Sequence, residues 1–304
     1  MNLEVMSSFC FPRMSVVTIS LFACLLTACS KQSLSDLIAP GAAVEIVAEG
    51  FVFTEGPVWD GSGLLFSDVR VNKIMRYTED GDVSLYIDDI GTNGLYFDNG
   101  GLLIVCGNLL DRQLYRISEN GARTVLVDKV DGKRLNAPND CWVDPAGGIY
   151  FTDPRYRTRE VMELDVEILY YLGADGELSV ADPDYERPNG LIGTTDGKTL
   201  YVADYAGEFI NRYDIESPGV LTNKTRFADG RCDGMTLDVQ GNLYLTRDKV
   251  VVHRPDGSLL GEIDLPGEGG STNVTFGGQG RKTLYITGGT RLMKLDMQVA
   301  GIAR

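Results

Sequence analysis

A short run of apolar and aromatic residues, often closed by a small residue and an acid, recurs along the chain. It stands at Leu64-Leu65-Phe66-Ser67-Asp68, Leu102-Leu103-Ile104-Val105-Cys106 and Ile149-Tyr150-Phe151-Thr152-Asp153. It returns at Leu200-Tyr201-Val202-Ala203-Asp204, Leu243-Tyr244-Leu245-Thr246-Arg247 and Leu284-Tyr285-Ile286-Thr287-Gly288. The copies lie roughly 40–50 residues apart, the period of propeller blades. Each is rich in β-branched, aromatic or other apolar residues and follows a Gly-containing turn, so each reads as a strand entered from a hairpin. Another short strand precedes each turn, at 58–59, 95–97, 141–143, 191–194, 235–237 and 274–276, and runs such as 74–77, 113–117 and 168–172 supply outer strands. The pattern predicts an all-β, six-bladed β-propeller of four-stranded blades. The last blade shows only three strands, and the run at 44–48 is predicted to complete it and hide its edge. A β-sandwich of similar strand count is the alternative, and six phased copies argue against it.

Composition narrows the function more than the fold. The chain has 304 residues, 43% of them hydrophobic, enough for a sizeable core. A formal net charge of -15 argues against a nucleic-acid partner, which needs clustered Lys and Arg. It also suits solubility, or carboxylates that hold a cation. Residues 14–28 form an apolar run after Arg13, of signal-peptide rather than membrane-span length. Leu26-Thr27-Ala28-Cys29 resembles the bacterial lipobox. The expected organisation is therefore a lipoprotein signal peptide (1–28), a linker (29–42) and a propeller catalytic domain (43–304). That predicts an exported bacterial protein on the periplasmic side or cell surface, touching the membrane only through its lipid anchor and otherwise monomeric. Three further cysteines, Cys106, Cys141 and Cys232, have no C-x-x-C spacing and read as buried apolar residues.

One position in each repeat carries candidate chemistry. About fourteen residues before the end of each repeated strand stand Glu55, Asn93, Asn139, Asn189, Asp233 and Asn273. Equivalent positions on innermost strands converge on the central channel of a propeller. Asx-Gly pairs are also common turn formers, but Glu55 is not a turn residue, and six oxygen-bearing side chains at one phase exceed what turns require. Carboxylates gathered in a channel would repel one another, so a cation is expected among them. Oxygen ligands without Cys or His select a hard ion, Ca²⁺ first, then Mg²⁺ or Mn²⁺, with Zn²⁺ open.

These motifs resemble the family of senescence marker protein, gluconolactonase and luciferin-regenerating enzyme. The likeness runs from Phe53-Thr54-Glu55-Gly56-Pro57-Val58-Trp59 to Thr272-Asn273-Val274-Thr275-Phe276-Gly277-Gly278. The stretch Gly132-Lys133-Arg134-Leu135-Asn136-Ala137-Pro138-Asn139-Asp140 and the following Phe151-Thr152-Asp153-Pro154 are similar to the bacterial gluconolactonase branch. The resemblance implies a divalent metal held by Glu55, Asn189 and Asp233, with Asn139 at or beside it. Two departures concern the substrate pocket. Ala137 stands where the animal proteins place a substrate-binding Arg, leaving Arg134 as a nearby candidate. Arg155-Tyr156-Arg157 replaces the usual Pro-Tyr-Gly.

The single histidine, His253, precedes a Pro-Asp-Gly turn on a strand position away from the channel, which argues against Ser-His-Asp and Cys-His mechanisms. Metal-assisted hydrolysis remains, and the resemblance implies a sugar lactone as its substrate, with the cation polarising the carbonyl. Asp233 is the candidate general base, or nucleophile if not fully committed to the metal. The loops after the second strands should rim the site and bring Asp153, Arg155, Tyr156, Asp204, Tyr205 and Arg247 to its mouth, with Asn136 and Arg134 close by. The candidate substrate-binding residues are Asn139, Asn136, Arg134, Arg155 and Tyr156. Asp68 and Asp204 read either as turn formers or as ligands of a second, structural ion. An esterase or phosphotriesterase on the same site, and a noncatalytic carbohydrate- or protein-binding propeller, are the alternative readings.

Overall fold

The computed structural model describes residues 32–108, 110–156 and 162–303 of the propeller unit. The signal segment and lipobox lie outside the described residues. The repeated apolar run forms the second strand of every blade, and its burial explains its composition. Leu64, Leu65, Phe66 and Ser67 are all solvent-free, as are Tyr150, Phe151, Thr152 and Asp153. A strand covered on both faces by neighbouring blades has no polar face to alternate with, so it reads as a continuous apolar run. The outermost strands are more open: Val83–Ile87 is largely exposed, and no residue of Leu178–Asp182 is fully buried.

Blade one contains Thr54–Trp59, Gly63–Asp68, Lys73–Thr78 and Val83–Ile87; blade two contains Leu95–Phe97, Leu103–Cys106, Leu114–Ile117 and Arg123–Val127. Blade three contains Cys141–Val143, Ile149–Asp153, Ile168–Leu172 and Leu178–Asp182; blade four contains Pro188–Gly193, Thr199–Asp204, Phe209–Ser217 and Val220–Asp229. Blade five contains Met235–Leu237, Leu243–Thr246, Val250–His253 and Leu259–Ile263. Blade six takes Asn273–Gly277, Thr283–Gly288 and Arg291–Asp296 from the C-terminal end and Glu45–Glu49 from the N-terminal end. All pairings within the blades are antiparallel, and innermost strands of successive blades touch around the whole ring. The described residues form a six-bladed β-propeller, as the spacing predicted.

Closure occurs where the missing strand was expected, shifted by one residue. Ile46 faces Met293, Glu49 faces Arg291, and a bulge separates Ile46 from Ala48. Behind this seam Trp59 of blade one stacks on Tyr285 of blade six, ring centroids 5.7 Å apart. Such aromatic pairs add about 0.5–1.5 kcal/mol beyond the area they bury. The residues just before the closing strand behave differently from a linker. Leu37 is wholly buried among Val250, Val252, Ile263 and Leu295, and Gln298 N donates to Leu37 O at 2.7 Å. From Gln32 onward, the segment assigned to the 29–42 linker is therefore packed on the propeller, because its apolar residues cover a gap between blades five and six.

Candidate active site

The Asx-Gly pairs that could have been turns serve a different purpose. Gly94 N donates to Asn139 O at 2.7 Å, Gly190 N to Asp233 O at 2.8 Å, and Gly234 N to Thr272 O at 2.8 Å. Each pair thus ties its blade to the next around the axis. The approach is too close for a side chain. A Cβ at Gly190 would lie 2.3 Å from Asp233 O, and one at Gly234 would lie 2.0 Å from Asn273 Cγ. In blades one and four the register slips between Glu55 and Val58 and between Pro188 and Leu191. Such bulges free residues from the ladder; here they release Asn189 and, in blade one, the Gly56-Pro57 step directly after Glu55, which itself stays paired with Ser67.

Hydroxyls on the second strands fix the same backbone. Ser67 Oγ donates to Asn93 O at 2.6 Å, Thr152 Oγ1 to Asn189 O at 2.9 Å, and Thr246 Oγ1 to Thr272 O at 2.9 Å. Thr152 holds two site residues at once, since Asn139 N donates to Thr152 O at 2.8 Å.

Glu55, Asn93, Asn139, Tyr156 and Asp233 line one cavity of about 540 Å³ at this end of the channel. Asn189, 2% exposed, lies directly against it and donates through Nδ2 to Asp233 Oδ1 at 2.6 Å and to Tyr156 Oη at 2.5 Å. The carboxamides of Asn93 and Asn139 have no hydrogen-bond partner among the described residues. Asn273 takes another part. Its Nδ2 bridges Glu55 Oε2 at 3.0 Å and Asp140 Oδ2 at 3.3 Å, and its Oδ1 accepts from Val274 N.

The electrostatics follow from this crowding. Burial, then the charges of Asp233 and Asp140, hold the Glu55 carboxyl well above the usual carboxylate range. Burial pushes Asp233 up to about 7, opposed by the Asn189 hydrogen bond. Asp140 is pushed up to about 7 by burial, opposed by hydrogen bonds from Cys141 N and Asn273 and reinforced by Asp233. Burial keeps the Tyr156 phenol protonated, with Asp233 adding to the effect. Three carboxyl groups that resist ionisation in one channel are what a bound cation would relieve.

Among the described residues no group of three or more His, Cys, Asp or Glu is arranged as metal ligands. The candidate set is mixed, two carboxylates (Glu55, Asp233) and two carboxamides (Asn139, Asn189). That chemistry fits a hard cation, which accepts amide oxygens as readily as carboxylates.

Several expected substrate contacts are structural instead. Asn136 is wholly buried, and its Nδ2 donates to Asp153 O and Val166 O, so it cannot reach the cavity. Arg155 Nε donates to Asn136 Oδ1 at 3.1 Å, and Arg134 Nη2 to Asp111 O at 3.0 Å. Neither arginine lines the cavity; both brace the loop beneath Asn139. Tyr205 packs edge-on against Tyr156. Arg247 is turned to Asp229 O at 2.6 Å.

The acids that end the second strands clamp loops. Asp68 accepts from Val52 N and Phe53 N, Asp153 from Asn136 N and Ala137 N, and Asp204 from Glu186 N, Arg187 N and Gly207 N. Asp68 and Asp204 thus have the loop-forming contacts of the first of the two readings posed for them. His253 lies on the third strand of blade five, its Nδ1 paired with Gly257 O at 2.9 Å.

The comparisons with known proteins point to one family. Residues 53–290 match the family model described as the SMP-30/Gluconolactonase/LRE-like region. This chain belongs to that family. Among family relatives, the gluconolactonase of Zymomonas mobilis is 31% identical over 295 residues, covering 85% of this chain and 82% of its own. A 6-deoxy-6-sulfogluconolactonase of Pseudomonas putida is 28% identical, covering 80% and 85% respectively. A gluconolactonase structure from Xanthomonas campestris superposes with a TM-score of 0.80 at 32% identity, over 87% of this chain and 92% of that one.

Sequence spacing left two features of the site unnoticed. Asp140 stands where the Asx-Gly pattern of blades two, four and five has Gly, and that departure was the available signal. Phe53, Val69, Arg70, Asn72, Asn108 and Leu110 also line the cavity, but they come from loops of blades one and two that carry no repeated phase.

Proposed function

We propose that this chain is a hydrolase of sugar lactones, an aldonolactone such as glucono-1,5-lactone in the first instance, working with one divalent cation, Ca²⁺ by preference. The observation that carries the reading is the convergence of Glu55, Asn139, Asn189 and Asp233 on one water-accessible cavity. Family membership and the lactonase names of the relatives support the same chemistry. The four residues would hold the cation through carboxylate and carboxamide oxygens. When bound, it supplies positive charge that polarises the lactone carbonyl and favours ionised Glu55 and Asp233.

The protein supplies the remaining functions. With Oδ1 engaged by Asn189, Asp233 retains Oδ2 to accept the proton of the attacking water. The protonated Tyr156 hydroxyl and the free carboxamide of Asn93 offer hydrogen bonds to the hydroxyls of a sugar ring. Asn273 and Asp140 occupy the channel below Glu55. A triad mechanism is excluded by the position of the sole histidine.

The test is hydrolysis of D-glucono-1,5-lactone by the isolated propeller, stripped of metal and resupplied with Ca²⁺, Mg²⁺, Mn²⁺ or Zn²⁺. Activity above the spontaneous rate should return with one ion and be lost in Glu55→Gln. Folded, ion-binding protein with no lactone turnover under any ion would overturn the reading.

A further inference from the structure

Among the described residues, Arg70 is the one cationic side chain lining the cavity. It sits on the 3-10 turn Val69–Val71, between the second and third strands of blade one. Asn108 of blade two donates through Nδ2 to Val69 O at 3.1 Å and to Asn72 Oδ1 at 3.3 Å, pinning the turn from outside. From inside, Val69 N donates to Phe53 O at 2.9 Å. The Arg70 guanidinium carbon then lies 4.8 Å from the centroid of the Phe53 ring. No carboxylate or carbonyl accepts from Arg70 among the described residues. A permanently charged fork of five N–H donors is therefore held against an aromatic face without an anionic partner.

The charges of the cavity wall give this a direction. Glu55 and Asp233 are its acids among the described residues, and a divalent cation between them would offset both. What remains among the described lining residues is the positive charge of Arg70, on a chain whose net charge is -15. Ala137 and Tyr156, also on the wall, carry no charge themselves, and the Arg187 guanidinium carbon lies 5.4 Å from the centroid of the Tyr156 ring. At about 540 Å³ the cavity has room for a six-carbon lactone with an additional charged substituent.

We propose that Arg70 is a specificity-determining residue that binds an anionic group on the exocyclic end of the substrate, so that acid-bearing sugar lactones are preferred over neutral ones. The shared chemistry is a carboxylate, phosphate or sulfonate presenting two oxygens to the guanidinium fork. This rests on the lactone reading above, because it assumes that the ring carbonyl lies at the Glu55 and Asp233 end.

The experiment has a kinetic and a binding arm, each in wild type, Arg70→Met and Arg70→Lys. The first compares kcat/KM for 6-phosphoglucono-1,5-lactone and glucono-1,5-lactone, which share a ring and differ in charge. The second measures binding of 6-phosphogluconate, glucarate and gluconate by calorimetry, which separates phosphate from carboxylate and needs no turnover. A charge-assisted contact should give the anionic probe an advantage of roughly tenfold or more, erased in Arg70→Met and partly restored in Arg70→Lys. The advantage should shrink as salt is raised. Equal binding of 6-phosphogluconate, glucarate and gluconate by wild type, or a preference unchanged in Arg70→Met, overturns the assignment of Arg70. Absence of turnover with either lactone while the binding preference holds would overturn the lactonase reading instead.

Discussion

Removing the cation should make the propeller sensitive to alkali, in a direction opposite to ordinary acid denaturation. Asp140 and Asp233 ionise at about 7 in the folded metal-free chain, against a normal 3.8, and Glu55 is displaced the same way. Between those values the folded state holds protons that the unfolded chain has released, so stability is greatest at low pH in this window and falls as pH rises through 7. For Asp140 and Asp233, a rise from 3.8 to about 7 puts each ionisation on the order of 4 kcal/mol. That is comparable with the whole stability of a domain, ~5–15 kcal/mol. A cation held by the carboxylates reverses the trend, because its binding requires their deprotonation. At a thousandfold excess over its dissociation constant it contributes about 4 kcal/mol. For a domain of this size that corresponds to a rise in Tm of roughly 8–16 °C. Thermal melts at about pH 5, 6, 7 and 8, with chelator and with millimolar Ca²⁺, make the measurement. With chelator, Tm should fall as pH rises; the gain from Ca²⁺ should be small at the acid end, largest at the alkaline end, and abolished in Glu55→Gln. A chelated protein whose Tm is flat or rises over this range, or a Ca²⁺ gain independent of pH, would refute the role given to these carboxylates.

Other expectations concern the supports of the site. Gly190→Ala places a methyl 2.3 Å from Asp233 O; overpacking should cost about 1–3 kcal/mol or more in denaturant unfolding and weaken ion binding with it. Thr152→Val removes the 2.9 Å bond to Asn189 O and should cost about 1 kcal/mol with a measurable loss of Ca²⁺ affinity, whereas Thr152→Ser should retain both. Asp153→Asn leaves one of the two loop amides without an acceptor, a loss of about 1–3 kcal/mol, and should raise hydrogen exchange at Asn136 and Ala137. Deleting residues 1–49 removes the outer strand of blade six and exposes the edge at Arg291–Asp296, so aggregation should follow in light scattering.

The strands were readable because a buried strand cannot disguise its burial. Six apolar runs at one spacing, each after a Gly-containing turn, leave few ways to close a sheet system, and even the joining strand was placed within a residue. The convergence of Glu55, Asn139, Asn189 and Asp233 was readable for the same reason, since equivalent positions in a rotary repeat meet at the axis. The cavity wall was not. Arg134, Asn136 and Arg155 lie near Asn139 in sequence, but burial of Asn136 turns that group under the loop. Arg70 and Asn108 lie far from the repeated phase, and only the docking of the blade-two loop on Val69 and Asn72 brings them to the cavity. Phase reports what the repeat imposes on every blade; it is silent on what single loops add.

The channel has two ends, and the phased site residues are divided between them. The cavity at the opposite mouth is of similar size, about 530 Å³, and lies among both apolar and polar residues, Trp59, Met235 and Phe276 with Asp98, Asn99 and Arg281. The C-terminal segment partly covers it, with Ile302 N bonded to Leu237 O and Gly301 pressed against Phe276. Asp140 and Asn273 line that cavity too, but their polar atoms are turned to Cys141 N, Val274 N, Glu55 and each other. Glu55, Asn139 and Asp233 open only to the other side. The repeat brings polar residues to the axis in all six blades. The loops, the Asn273 bridge and the C-terminal segment together decide from which end a small molecule can meet them.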